Sequence, residues 1–148
     1  MKNFFLIITA IVFTWGSISA QSTALSQQIE LDKKEAANEG YTLLDSGGGE
    51  TNWDWVLTFD MENYYSGYIY YAVAYFEGCS NCDVGFYFYS HDNGGKEELS
   101  PKIDRSQGVI RATYGVQQTK TAHGELSVYA KSTSKVYTYS MLFRKSLY

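Results

Sequence analysis

The sequence is poor in proline and lacks a long apolar run after its first twenty residues. One proline and thirteen scattered glycines among 148 residues exclude a proline-rich linker or a low-complexity segment. No internal repeat is visible. We therefore expect one domain with a substantial core, and no membrane span once the N-terminal segment is removed.

Basic residues are also scarce. Twelve lysines and arginines stand against 16 acidic residues, which gives a formal net charge of −4 and a pI near 5.1. Nucleic acid and anionic membrane surfaces both require a basic face on the protein that binds them. The composition therefore disfavours both classes of partner.

The first twenty residues have the pattern of a cleavable signal peptide. Lys2 supplies the positive charge, residues 4–15 are an apolar run, and Ala20 is a small residue at the expected cleavage position. We predict cleavage between Ala20 and Gln21, with cleavage after Ser19 as the alternative. The run is too short for a membrane-spanning helix, and no cysteine stands where a lipid anchor would need one. We expect an exported protein, periplasmic or extracellular.

Residues 21–40 are expected to form a helical segment. The stretch 23–39 is rich in strong helix formers, Ser22 or Thr23 can cap its start, and Gly40 stands where a helix would end. The thin apolar stripe consists of Leu25, Ile29 and Ala36. We expect this helix to lie against the edge of the domain rather than at its centre.

From residue 41 to residue 148, apolar residues recur at every second position, which is the period of a half-buried strand. The expected strands are 41–44, 53–60, 68–76, 84–89, 97–99, 109–114, 125–130 and 135–143, and a turn at 46–49 and a loop at 61–67 separate the first three. Residues 68–76 are apolar on both faces, which predicts a central strand. Seven or eight short strands without helices between them predict an antiparallel, jelly-roll-like β-sandwich, with a closed barrel as the alternative.

Cys79 and Cys82 lie in the connection between two expected strands. A thioredoxin-type redox site would need a helix that starts at the first cysteine, and none is expected there. A zinc site would need further ligands, for which His91 and His123 are the candidates. The favoured interpretation is a disulfide that fixes a tight turn in an oxidising compartment.

Several short segments resemble a group of small secreted bacterial domains. They are a Gly-Tyr strand at residues 67–74, a Cys-x-x-Cys-Asp turn at 79–83 and an aromatic strand at 86–89. Together with a closing strand at 124–129, the pattern is similar to the pre-peptidase C-terminal β-sandwich over residues 53–143. The resemblance implies a noncatalytic accessory domain, often an appendage of secreted enzymes.

The pattern departs from those relatives at two positions. Gly85 and Ser90 stand where the relatives often carry aspartates. Some relatives bind calcium through clustered acids, and here Asp83, Asp92 and Asn93 are the residues that would lend oxygens to such an ion. Residues of these types also form turns without any ion, so calcium is a secondary prediction, and no other cofactor is expected.

Loop aromatics are the best candidates for ligand binding. Tyr64 and Tyr65 are adjacent in an expected loop, and Trp53 would extend an aromatic platform for a sugar or a peptide. Core packing explains the tryptophan equally well. Asp54, Asp60 and Glu62 are interpreted as a solvated strand face rather than a glycosidase pair. No Gly-x-Ser-x-Gly motif of a hydrolase occurs.

These patterns predict an exported, noncatalytic β-sandwich that binds a protein partner or a surface polymer at the cell envelope. A small carbohydrate-binding module is the alternative, and a secreted hydrolase is the least favoured.

Overall fold

The computed structural model describes residues 22–51, 55–106, 108–132 and 135–148. These residues form one helix and ten strands. In chain order they are α1 (Thr23–Asn38), β1 (Thr42–Thr51), β2 (Trp55–Thr58), β3 (Asn63–Tyr64), β4 (Tyr68–Glu77), β5 (Asp83–Ser90), β6 (Lys96–Leu99), β7 (Lys102–Ser106), β8 (Val109–Gln118), β9 (Ala122–Lys131) and β10 (Val136–Ser146). The predicted signal peptide lies outside the described residues.

The strands form two packed sheets. Sheet A has the order β1-β10-β4-β8-β7, and sheet B has the order β2-β9-β5-β6, with the short β3 also paired to β9. Every described strand pair is antiparallel. The predicted antiparallel β-sandwich is therefore confirmed, with ten described strands instead of the seven or eight expected.

The main core lies between the two sheets and is rich in aromatic rings. Phe76 from sheet A and Phe86 from sheet B are both fully buried within it. Strand β4 runs between β10 and β8, and Ala72 to Phe76 are buried on both of its faces. The prediction of a central strand at 68–76 is confirmed, because a strand covered on both sides excludes polar residues from both faces.

The glycine run in residues 46–49 is part of a strand and not the predicted turn. Strand β1 continues through it and pairs with β10 from Thr42 to Thr51. A Cβ atom on Gly48 would lie 2.2 Å from the Thr138 carbonyl oxygen, so only glycine allows the two backbones to approach this closely. The close approach of the two strands requires glycine here, whereas the glycine run in the sequence predicted a flexible turn.

Two short strands were not expected from the sequence. The predicted loop at 61–67 contains β3, and β7 is exposed at every position, so it shows no alternation of apolar and polar residues. Strand β8 also extends beyond the predicted end at residue 114, through Gln118. Strand β3, with two residues, is too short to show a period. Strand periodicity is visible only where one face is buried, which is not the case in β7.

Helix α1 packs on the outer face of sheet A and not at the edge of the domain, which corrects the prediction. Ser22 caps it by accepting a hydrogen bond from the Leu25 amide at 3.1 Å. A second core lies between the helix and the central strands of sheet A, and its buried members are Leu25, Ile29, Ala36, Val73, Tyr75, Met141 and Phe143. The thin apolar stripe of α1 is enough to hold the helix against the sheet, because sheet A supplies the larger apolar surface of this second core.

A buried carboxylate fastens the helix to the sheet. Asp32 is only 5% exposed, and it accepts hydrogen bonds from the Tyr75 hydroxyl, from Arg111 Nε at 2.7 Å and from Gln28 Nε2 at 3.0 Å. A charge this deeply buried is tolerated only when it is paired and hydrogen-bonded.

Within the described part of the chain, no helix has the length and apolar character to cross a membrane.

Candidate binding cleft

A cleft opens between the two sheets where β7 is too short to cover β8. Strand β7 pairs only with the first half of β8, from Val109 to Thr113. The second half, from Tyr114 to Gln118, pairs with β4 on one side. Among the described residues, no strand lies along its other side. Sheet A therefore ends early here, opposite β6 at the edge of sheet B.

The cleft has a volume of about 270 Å³ and predominantly apolar walls. Its lining residues are Tyr64, Tyr70, Ala72, Phe88, Glu97, Leu99, Tyr114, Val116, Gln118, Ala122 and Leu126. This volume is close to the lower end of small-molecule sites, and an apolar wall with few polar groups is typical of binding pockets. The site combines residues from six strands and could not be seen as a contiguous sequence motif.

Tyr64 lies in the wall of this cleft and not on an exposed loop, which corrects its predicted setting. Strand β3 holds it against β9, and its ring contacts those of Tyr70 and Phe88 at centroid distances of 4.9 and 5.5 Å. The residue is 2% exposed, and its hydroxyl makes no hydrogen bond with any described residue. Burial raises the pKa of this phenol well above its ordinary value. The Leu126 backbone is near enough to offset part of the shift, but it lies outside hydrogen-bonding geometry with the Tyr64 hydroxyl.

The polar groups of the cleft lie on its open side. Glu97 on β6 is exposed, and Gln118 at the end of β8 is half-buried. Burial, followed by the nearby Glu97 carboxylate, raises the pKa of the Tyr114 phenol. Glu97 is the one charged residue in the lining, so the cleft favours neutral or cationic groups over anions.

The other two aromatic candidates do not join Tyr64. Tyr65 is 48% exposed, unlike the buried Tyr64, and its amide donates to the Tyr70 hydroxyl at 2.8 Å. Trp53 lies outside the described residues. The structure therefore does not place the predicted aromatic platform on one described surface.

The three candidate calcium ligands are not brought together. Asp83 begins β5, whereas Asp92 and Asn93 follow its other end, roughly 25 Å away for an eight-residue strand. Asn93 Oδ1 instead accepts a hydrogen bond from the Gly95 amide at 2.8 Å, as a turn-forming residue does. The described residues contain no group of three or more acidic, histidine or cysteine side chains suited to a metal ion.

Cys79 and Cys82 lie at disulfide distance, with their Cα atoms 5.7 Å apart, and are bonded to each other. The segment after them is strand β5, not a helix, so the dipole needed for a thioredoxin-type site is missing there. His91 follows the far end of β5, which removes it as a zinc ligand beside these cysteines. Arg105 clamps the turn by donating to the carbonyls of Ser80 at 3.0 Å and Cys82 at 3.1 Å.

A second aromatic surface, missed in the sequence, covers the outer face of sheet B. The ring of Tyr129 lies across Gly85, where a Cβ atom would be 2.7 Å from the Tyr129 hydroxyl. Tyr87 is next to it, with ring centroids 6.4 Å apart, and Lys96 Nζ stands 4.1 Å from the Tyr87 centroid. Gly85, the departure from the aspartate of the resembling domains, therefore makes room for a ring lying along the sheet.

No protein-family model and no curated protein matches the chain. Among solved structures, it is similar to a crystal structure of the Bacillus licheniformis lipase BlEst2 in its propeptide form, with a TM-score of 0.48 and 13% sequence identity. The match covers 68% of this chain and 21% of that chain, so the chain spans about a fifth of the length of the lipase structure. A match at this identity and TM-score has no bearing on function.

Proposed function

We propose that this chain is an exported, noncatalytic β-sandwich module that binds a partner protein through the cleft between its sheets. The observation that carries the proposal is a cleft with aromatic walls and, in those walls, a buried tyrosine hydroxyl that has no hydrogen-bond partner among the described residues. A buried polar group without a partner costs free energy, which a bound ligand with a hydrogen-bonding group would recover.

The chemistry of the lining supports binding rather than catalysis. Glycoside hydrolysis by the usual route needs two carboxyl groups, and covalent catalysis needs a nucleophile beside a base. The cleft is lined by one carboxylate, Glu97, and by tyrosines whose pKa is raised at Tyr64 and Tyr114. A raised pKa keeps a phenol protonated, which suits a hydrogen-bond donor.

Export is supported by the N-terminal pattern and by the cysteine pair. A disulfide is compatible with an oxidising compartment. The resemblance to the pre-peptidase C-terminal sandwich supports an accessory role at the cell envelope. These three features together favour a module that works outside the cytoplasm.

The test is selection from a random twelve-residue peptide display library against protein produced from the full chain. We expect binders whose affinity falls at least tenfold in Val116→Phe, which fills the cleft. Val56→Phe is the matched control, because the same bulk is added on the outside of sheet B, where Val56 is 52% exposed. Binders that tolerate Val116→Phe as well as Val56→Phe would contradict the assignment of the cleft.

A carbohydrate-binding module is the second candidate, favoured by the Tyr129 ring that lies across Gly85 beside Tyr87. Aromatic faces in this arrangement offer an apolar surface with polar edges to a sugar ring. A glycan array would show binding that Tyr129→Ala abolishes and Val116→Phe leaves unchanged. The opposite sensitivity would assign any glycan binding to the cleft.

A further inference from the structure

Resting on the function proposed above, we propose that the partner presents an extended segment that adds to the free edge of β8 and inserts a tyrosine side chain into the cleft. The added segment would occupy the position that β7 leaves empty beside residues 114–118. It would form main-chain hydrogen bonds with β8, while one side chain fills the space between the sheets.

The first support is that no described strand pairs with this edge of β8 over residues 114–118. Residues 114–118 pair with β4 on one side, from Tyr114 opposite Ala72 to Gln118 opposite Tyr68. On the other side, the pairing with β7 stops at Thr113, opposite Lys102. Five residues of strand, about 17 Å, therefore direct alternate backbone groups away from the sheet. An incoming strand of five to seven residues matches this length.

The second support is that this edge lacks the protection found on its neighbours. In natural proteins, charged side chains on edge strands usually prevent pairing with another strand. Strand β6 carries Lys96, Glu97 and Glu98, and β7 carries Lys102, Asp104 and Arg105. The free half of β8 reads Tyr-Gly-Val-Gln-Gln and contains no charge and no proline. Compared with β6 and β7, the stretch beside the cleft is therefore an unprotected edge.

The third support is the alternation of side chains. Tyr114, Val116 and Gln118 line the cleft, whereas Gly115 and Gln117 between them are exposed. An added strand in the same sheet has the same period of two, so its alternate side chains point into the same space. One bound segment therefore pairs its main chain with the edge of β8 and places a side chain in the cleft.

The nature of the inserted side chain follows from the walls. The cleft is apolar and aromatic, yet no residue in the described part of the chain forms a hydrogen bond with the Tyr64 hydroxyl in its wall. A tyrosine satisfies both conditions, since its ring packs against Phe88 and Tyr114 and its hydroxyl can bond to that of Tyr64. Glu97 on the open side disfavours an acidic residue next to the inserted tyrosine and favours a basic one.

The experiment uses the tightest peptide selected from the display library and measures its affinity by calorimetry. We expect a central tyrosine whose change to phenylalanine weakens binding about three- to tenfold, the effect of one hydrogen bond. In Tyr64→Phe this preference should vanish, because the partner hydroxyl is gone. Tyr139→Phe, which removes a hydroxyl on the outer face of sheet A, is the matched control and should retain the preference.

Backbone N-methylation of the peptide tests strand addition directly. Methyl groups on alternate residues that face β8 should weaken binding at least tenfold, and methyl groups on the intervening residues should have little effect. Equal tolerance at all positions, with binding still lost in Val116→Phe, would overturn strand addition while leaving the cleft as the binding site. Failure to select any peptide that depends on the cleft would overturn both proposals.

Two further outcomes would also overturn the inference. N-acetyltyrosinamide binding as tightly as the whole peptide would show that the cleft takes a small molecule and that the edge contributes nothing. Concentration-dependent dimers in sedimentation, abolished by Val116→Phe, would show that a second copy of this chain occupies the edge. A monomer that binds the peptide at least tenfold more tightly than N-acetyltyrosinamide is the expected result.

Discussion

Tyr64 is the residue in which packing and chemistry conflict most clearly. It lies in the core with its hydroxyl unsatisfied, and burial holds its pKa above the ordinary value of 10.0. When a pKa is higher in the folded state, the unfolded state loses its proton first as the pH rises. The contribution of the Tyr64 phenol to the free energy of unfolding is fully present below about pH 10 and is lost as the pH rises further.

We therefore predict that Tyr64→Phe flattens the alkaline loss of stability. Above pH 10 the parent should lose up to about 1.4 kcal/mol per pH unit through this group, and the variant should lose less. At pH 8 the variant should be as stable as the parent or more stable, since no hydrogen bond is removed. Urea unfolding from pH 8 to 11 measures both effects.

Tyr65→Phe is the matched control, because it removes an exposed hydroxyl from the adjacent residue. It should follow the parent at every pH. A Tyr64→Phe curve that runs parallel to the parent above pH 10 would mean that this phenol does not drive the alkaline transition.

Asp32 is the second residue whose role depends on burial. Asp32→Ala would leave Arg111 and Tyr75 without the carboxylate that both contact. We expect a loss of about 2–4 kcal/mol in the free energy of unfolding, because removing one partner of a buried pair is strongly destabilising. Hydrogen exchange should show that the amides of α1 lose protection before those of sheet B.

Glu35→Ala, on an exposed position of the same helix, is the control and should change stability by less than about 0.5 kcal/mol. Equal effects of the two substitutions would show that the helix is held by its apolar stripe alone.

At the scale of the element, the glycines of β1 offer a matched pair. Gly48→Ala would place a Cβ atom against the Thr138 carbonyl and the Tyr139 Cα, whereas Gly49→Ala meets nothing within 4 Å. We expect Gly48→Ala to cost about 2–3 kcal/mol by forcing β1 away from β10, and Gly49→Ala to be neutral or slightly stabilising. Thermal unfolding of the two variants measures the difference, and similar melting temperatures would argue against the close strand approach.

The cysteine turn is an element that stabilises locally. Replacing both Cys79 and Cys82 by serine should cost no more than about 2 kcal/mol, because the closed loop is very short. Arg105 still clamps the turn through two carbonyls in that variant. Thiol titration of the unfolded, unreduced parent should find no free sulfhydryl, and two free thiols would contradict the disulfide.

At the scale of the whole molecule, the prediction concerns processing. The apolar run and Ala20 predict that the exported protein begins at Gln21, in its free or cyclised form. Intact mass and N-terminal sequencing of the exported product measure this. A start at Ala20 would indicate that Ser17 and Ser19 were read instead, and retention of residues 1–20 would contradict a cleaved signal peptide.

Most strands with a buried face could be predicted, whereas the two-residue β3 and the fully exposed β7 could not. Alternation at β5 and two apolar faces at β4 gave the central strands and the antiparallel sandwich. Strand β7 carries no alternation, because neither of its faces is buried, and β1 is hidden by glycines that normally indicate a turn. The helix was placed correctly along the chain but wrongly in space, because its partner surface belongs to residues far away in sequence.

The residues of the candidate site also divide into those that the sequence indicated and those that it did not. Tyr64 was singled out as a binding residue in an exposed loop, whereas the structure buries it in the wall of the cleft. Glu97, Tyr114 and Val116 were not singled out, because they are ordinary strand residues until the early end of β7 opens the cleft beside them. No local signal could reveal this, since the gap depends on the relative lengths of two paired strands.

By itself, the sequence determined the fold class, the helix limits and the disulfide turn, and it predicts the signal peptide. Each of these depends on local patterns: hydrophobic periodicity, charge, capping residues and the short spacing of two cysteines. The tertiary structure alone decided that α1 covers sheet A, that Asp32 is buried with Arg111, and that a cleft opens beside β8. These features arise from contacts between residues that are distant in the chain, and the physical reason is that burial, which determines them, is a property of the packed sheets and not of any one segment.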